Sequence, residues 1–138
     1  MDVKVLLSRL KELNLADGKY AVFGSGPLAV RGILPAVLKN LDIIVTEDLW
    51  EILAKEYLTD EEGFIRTRGL KFSNWWWRKV PKFEKLIAEA DIIDGVRFVK
   101  LEEVYKYKRQ IMGPKEREHL KAIEEYFKKE NLGELPTS

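Results

Sequence analysis

The chain contains no cysteine and a single histidine, His119. These shortages exclude a disulfide framework, a thiolate nucleophile, a zinc site built on sulfur and a His-rich metal cage. Glutamine occurs only at Gln110, and asparagine only at Asn14, Asn40, Asn74 and Asn131. With Lys and Glu abundant, that bias fits a heat-adapted source; composition noise in a short chain is the alternative. Charge of one sign is lacking too. In 138 residues, 24 Lys and Arg face 23 Asp and Glu, a net charge of +1. That balance excludes polyanion binding by overall charge and leaves a local basic patch open. No apolar run approaches the roughly 18 residues of a membrane span. Met1-Asp2-Val3-Lys4 does not begin a basic region followed by an unbroken apolar stretch, so it does not read as a signal peptide. The expectation is a soluble cytoplasmic protein with no membrane association. At 46% hydrophobic and 34% charged, the composition excludes global disorder.

What the chain does contain is an alternation of helical and strand patterns. Val3, Leu6, Leu7, Leu10 and Leu13 recur at helical spacing over 3–14. Lys19–Gly24 is a short apolar run bounded by glycine, a buried strand, and Pro27 then opens a helix to about Leu34. Leu41–Val45 reads as a second strand, and a helix carries Leu49, Trp50, Ile52, Leu53 and Tyr57. Asp60–Gly63 reads as a hairpin-like turn beside short segments at Phe64–Arg68 and Leu70–Ser73. Pro81 opens a helix through Ala90, Val96–Val99 is a last strand after Asp94-Gly95, and two helices follow on either side of Gly113-Pro114. The pattern predicts one α/β (α+β) domain over 1–130, a small mixed β-sheet flanked by helices, with 131–138 as a C-terminal tail.

The informative stretch runs from Tyr20 to Val45. A strand ends in Gly24-Ser25, a helix begins at once, and the next strand carries Asp42. Glycine lets the backbone approach a bulky phosphate, a serine hydroxyl can donate to a phosphate oxygen, and a helix N-terminus favours an anion. An acid on the neighbouring strand can hold Mg²⁺ against the same phosphate. Read without function, Gly-Ser-Gly-Pro is a tight turn into a helix, and Asp42 a capped or salt-bridged acid. Arg31, one turn beyond Pro27, could reach a phosphate at the helix start or be a solvated or paired arginine.

Val22-Phe23-Gly24-Ser25-Gly26-Pro27-Leu28-Ala29-Val30-Arg31-Gly32-Ile33, with Asn40-Leu41-Asp42-Ile43-Ile44-Val45, resembles the nucleotidyltransferase superfamily of polymerase-beta-like fold. Within it, the chain resembles the small prokaryotic minimal nucleotidyltransferase-like proteins. Ile92–Val104 and Tyr107–Glu116 extend the resemblance, which covers about residues 18–130. It implies transfer of a nucleoside monophosphate from a nucleoside triphosphate to an acceptor hydroxyl. Gly24 and Ser25 would hold the triphosphate, and Asp42 would be the catalytic acid and metal ligand with Asn40 beside it. Active members use acids on two strands to bind a pair of Mg²⁺ ions. Here the first acid position is Asn40, and, unless the alignment shifts and Asp91 or Asp94 is the third acid, Lys71 falls where that acid is expected, so the Mg²⁺ site is weakened and the acid triad degenerate. Lys71 would then meet the nucleotide's phosphates itself.

Trp75-Trp76-Trp77-Arg78-Lys79 lies in a segment from Phe64 to Lys82 with six basic residues (Arg66, Arg68, Lys71, Arg78, Lys79, Lys82) and no acid. It reads as core or dimer-interface packing, as a nucleic-acid surface, or as a protein partner site. His119, on a charged helix start, reads as a surface histidine. The expected function is a nucleotidyltransferase-family protein, weak or inactive. The alternative is a non-catalytic nucleotide- or partner-binding module of the toxin–antitoxin kind. Asn40 and Lys71 favour the module; Gly24-Ser25 and Asp42 favour the enzyme.

Overall fold

Six strands form one mixed sheet in the computed structural model, which describes residues 1–74 and 83–136. They are β1 (Tyr20–Phe23), β2 (Leu41–Val45), β3 (Ile65–Thr67), β4 (Leu70–Ser73), β5 (Asp91–Ile93) and β6 (Val96–Phe98), in the spatial order β3-β4-β2-β1-β6-β5. Strand β1 runs antiparallel to β2 and parallel to β6, and β2 runs parallel to β4. Each edge is a hairpin, β3–β4 on one side and β5–β6 on the other. The helices are α1 (Val3–Glu12), α2 (Gly26–Ala29), α3 (Glu47–Glu56), α4 (Phe83–Ala88), α5 (Leu101–Ile111) and α6 (Pro114–Lys129). This is the expected class, a small mixed sheet flanked by helices. Among the described residues, no helix is long and apolar enough to cross a membrane.

The period of two along each strand divides the core. Val22, Leu41, Ile43, Val45, Leu70 and Phe72 pack in one cluster with Leu6 and Leu10 of α1 and Leu49 and Leu53 of α3. Ala21, Phe23 and Ile44 belong to a second cluster, with Leu86 and Ile87 of α4, Val104 and Tyr107 of α5, and Leu120, Ile123 and Phe127 of α6. On that second side the strand positions are not uniformly apolar. Asp42 alternates with Leu41 and Ile43, and Lys71 alternates with Leu70 and Phe72.

Three expectations are corrected. The helix opened near Pro27 stops at Ala29 rather than Leu34. Gly32 has φ +76°, its N–H donates to Ala29 O, and Ile33 N–H donates back to Leu28 O, the double bond that closes a helix on a left-handed glycine. The turn of the β3–β4 hairpin is Arg68-Gly69, not Asp60–Gly63. Both of its residues are left-handed, φ +50° and +84°, which suits the twist of a two-residue hairpin. Asp60 instead ties its own loop, its carboxylate accepting from the N–H groups of Glu62 and Phe64. Strand β5 was not anticipated; it pairs with β6 across a second left-handed pair, Asp94-Gly95. Pro81 and the Trp75–Lys79 segment lie outside the described residues.

Gly26 is fixed by packing rather than by φ. A Cβ there would press into Val22 Cγ1 and stand 3.1 Å from Leu41 Cδ1. Gly26→Ala is expected to lower stability by about 1–3 kcal/mol, the usual cost of forcing a methyl into a filled core. Chemical denaturation of the two proteins checks this.

Candidate functional site

Strand register gathers the site. Phe23 pairs with Asp42, Asp42 with Lys71, and Lys71 with Arg66, so these four residues form one row across β1, β2, β4 and β3. The row lies on the side of the sheet that α5 and α6 cover. Tyr107 of α5 packs on Phe23 with ring centroids 5.1 Å apart. Lys71 Nζ sits 3.9 Å from Asp42 Oδ1 and 4.2 Å above the centre of the Phe64 ring. The ammonium is thus held by a carboxylate and an aromatic face together. Arg66 leans outward to Asp60 and Glu62.

Gly24 follows β1 directly, with φ +69°, and a Cβ there would stand 2.7 Å from Asp42 Oδ2. Glycine is needed both for the left-handed backbone and for the close approach of the acid. Gly24 and Asp42 therefore share one end of the sheet, as the sequence spacing implied. Ser25 is the half-buried N-cap of α2 without a side-chain capping bond. Because α2 has only four residues, it brings little helix dipole to this place. Asn40 is half-buried just ahead of β2. Arg31 is taken elsewhere. Its guanidinium donates to Pro27 O at 2.7 Å and pairs with Asp91 at 2.9 Å, beside Lys100 and a cavity of about 220 Å³ also lined by Glu102 and Tyr126.

Two buried residues of the covering helices lie beside the row. Lys108 of α5 is only 5% exposed, and its Nζ lies 3.0 Å from Nδ1 of His119 of α6, itself 7% exposed. His119 is therefore buried, not the surface histidine expected from its charged neighbours. The signal was helical phase. Lys108 continues the Leu101, Val104, Tyr105 stripe, and His119 starts the Leu120, Ile123, Phe127 stripe.

The electrostatics are those of one half-buried acid among cations. Burial lifts the Asp42 carboxyl above its ordinary range, while Lys71, Lys115, Lys108 and Arg66 pull it back. Burial brings the Lys108 ammonium down to about 8, helped by Lys115 and opposed by Glu116 and Asp42. Burial, then Lys108 and Lys115, bring His119 down to about 4. At neutral pH His119 is thus uncharged, with Nδ1 accepting from the lysine.

This donor set does not fit a Mg²⁺ pair. It offers one carboxylate, and the Lys71 ammonium stands beside it where a second cation would be repelled. Among the described residues, no group of three or more His, Asp and Glu side chains is placed to hold a metal ion. Compared with known protein families, curated proteins and solved structures, the chain finds no match.

The buried imidazole has a pH consequence. Its proton affinity is lower folded, about 4, than the ordinary 6.5, so the unfolded chain binds the proton more tightly. Stability contributed by neutral His119 is present above 6.5 and is lost as pH falls from there towards 4. Thermal unfolding across that window should show a steeper acid loss for the wild type than for His119→Gln, which cannot take up the proton. Parallel curves would exclude His119 as a source of acid sensitivity.

Proposed function

We propose that this chain is a nucleotidyltransferase-like protein that binds the phosphates of a nucleoside triphosphate through lysine rather than metal, with nucleotidyl transfer weak or absent. The observation that carries this reading is the register of Lys71 beside Asp42. A lysine there meets phosphate oxygens as a point charge and needs no bridging cation. Lys108 and Lys115 act on the same carboxylate, so the surroundings of Asp42 favour an incoming polyanion over a divalent cation. Gly24, with no side chain, lets the Asp42 carboxylate come close to the backbone, and Ser25 follows it with a half-buried hydroxyl.

Chemistry on the triphosphate asks for more than binding. Transfer requires charge stabilisation at the α-phosphate and a deprotonated acceptor hydroxyl. One acid with Asn40 as neighbour supplies neither in full. The lysines make the module reading stronger than the enzyme reading: the nucleotide is held, and the protein acts through what it holds.

Two measurements test this. Calorimetry with ATP in the presence of a chelator should show binding by the wild type that weakens as salt rises, because the Lys71 and Asp42 side chains keep some exposure. Lys71→Glu should bind about tenfold or more weakly without metal, a loss on the order of 1.4 kcal/mol. Equal metal-free affinity for the two proteins would place Lys71 outside the site. In transfer assays with labelled nucleoside triphosphates and Mg²⁺, the wild type should turn over little, and Asn40→Asp should not restore activity while Lys71 remains. Robust wild-type turnover would overturn the reading.

A further inference from the structure

A buried lysine normally lies against a carboxylate, because an uncompensated charge in the interior is costly. The hydrogen-bond partner of Lys108 is instead an imidazole nitrogen, 3.0 Å away. A hydrogen bond between two nitrogens needs one N–H and one lone pair. An ammonium facing a neutral imidazole satisfies this, and a neutral amine facing either imidazole form does so too. Two protonated groups would point N–H at N–H with no acceptor between them. The Lys108–His119 pair therefore carries at most one positive charge, shared as a unit.

The groups facing the pair decide whether it carries that charge. From α6 come Lys115 and Glu116, and from β2 comes Asp42. Lys71 of β4 and Arg66 of β3 act on Asp42 from its other side. Two acids and one further cation, Lys115, act on the pair; Asp42 is already engaged by Lys71, and neither acid makes a hydrogen bond to Lys108 among those described. The position is short of negative charge, and a ligand that brings several negative charges would supply it.

We propose that an oligophosphate ester bound at the Asp42–Lys71 end of the sheet draws a proton onto the Lys108–His119 pair, so that binding and protonation of this pair are one linked event. The proposal rests on the phosphate-binding reading above and adds its regulation. Free Lys108 has its ammonium pulled down to about 8 by burial, within reach of mildly alkaline conditions, whereas His119 at about 4 stays a neutral acceptor throughout. A bound polyanion restores the ordinary preference of the lysine for its proton. Raising the pH removes the proton and releases the ligand.

Proton uptake is read directly by calorimetry of ATP binding at about pH 8.5, with chelator, in two buffers of different ionisation enthalpy. The ATP phosphates, with a last ionisation near pH 6, are already fully charged there, so uptake belongs to the protein. The wild type should take up a fraction of a proton, and its affinity should fall about tenfold from about pH 7.5 to about pH 9.5. Lys108→Arg, which keeps its charge at every such pH, should bind with no uptake and with flat affinity. His119→Asn, which keeps a neutral acceptor, should retain uptake. No uptake in the wild type overturns the proposal whatever the variants do, as does equal uptake in Lys108→Arg. Methyl triphosphate, a probe with no nucleoside, separates the two readings. Binding of this probe with uptake, and no binding of ATP, defeats the nucleotide reading and keeps the linkage. Binding of ATP without uptake does the reverse, and failure of both probes to bind defeats both.

Discussion

The arrangement depends on the pairing of Asp42 with Lys71 across two parallel strands. Register in a sheet is all or nothing: a slip of one residue along β4 would turn Leu70 or Phe72 to the side of α5 and send Lys71 into the cluster under α1. The apolar residues on the opposite side of β2 and β4 therefore fix the polar pair on this side. Leu41, Ile43, Leu70 and Phe72 are each 2% exposed or less, and they hold the strands in the one alignment that brings the ammonium beside the carboxylate. The site is positioned by a hydrophobic core that it does not belong to.

The cost of that placement is visible in three titratable groups. Asp42, Lys108 and His119 are all shifted first by burial and only second by neighbours, and each shift is towards the uncharged form. A purely structural ion pair would show the opposite, with partners lowering the acid and raising the base. Here burial outweighs the neighbouring charges. Lys71 has both the Asp42 carboxylate and the Phe64 face, whereas the Nδ1 acceptor opposite Lys108 is a weaker partner than a carboxylate in contact.

Much of the sheet was legible because its strands are short, apolar and bounded by glycine. Leu41–Val45 is read directly, and Gly24 beside Asp42 followed from one turn and one spacing. What was missed has local causes. Strand β5 is half exposed, with Asp91 and an outward Ile92, so it carries no buried run to detect. The early end of α2 was written in Gly32, but Pro27 and the apolar Leu28–Val30 argued for more helix. His119 was obscured by Lys115, Glu116, Arg117 and Glu118, which turn to solvent or half-bury while the next residue turns in. Lys108 was hidden by its residue type. Only its phase on the helix, four residues after Val104, marks it as inward. Arg31 could be placed near Pro27 from sequence, but its choice of Asp91 depends on the unforeseen strand.

The parallel pairing of β1 with β6 joins Val22 to Phe98, residues from opposite parts of the chain. Both edge hairpins close across two residues, at little loop entropy, whereas this central seam closes a loop of most of the protein. Contacts of such long range dominate the time a chain needs to reach its native state. The charged row on β2, β3 and β4 needs only the earlier half of the sequence, while the helices that cover it follow β6. The lysine and histidine above the row are thus brought to it through that long-range seam, although their own contact is local, eleven residues apart.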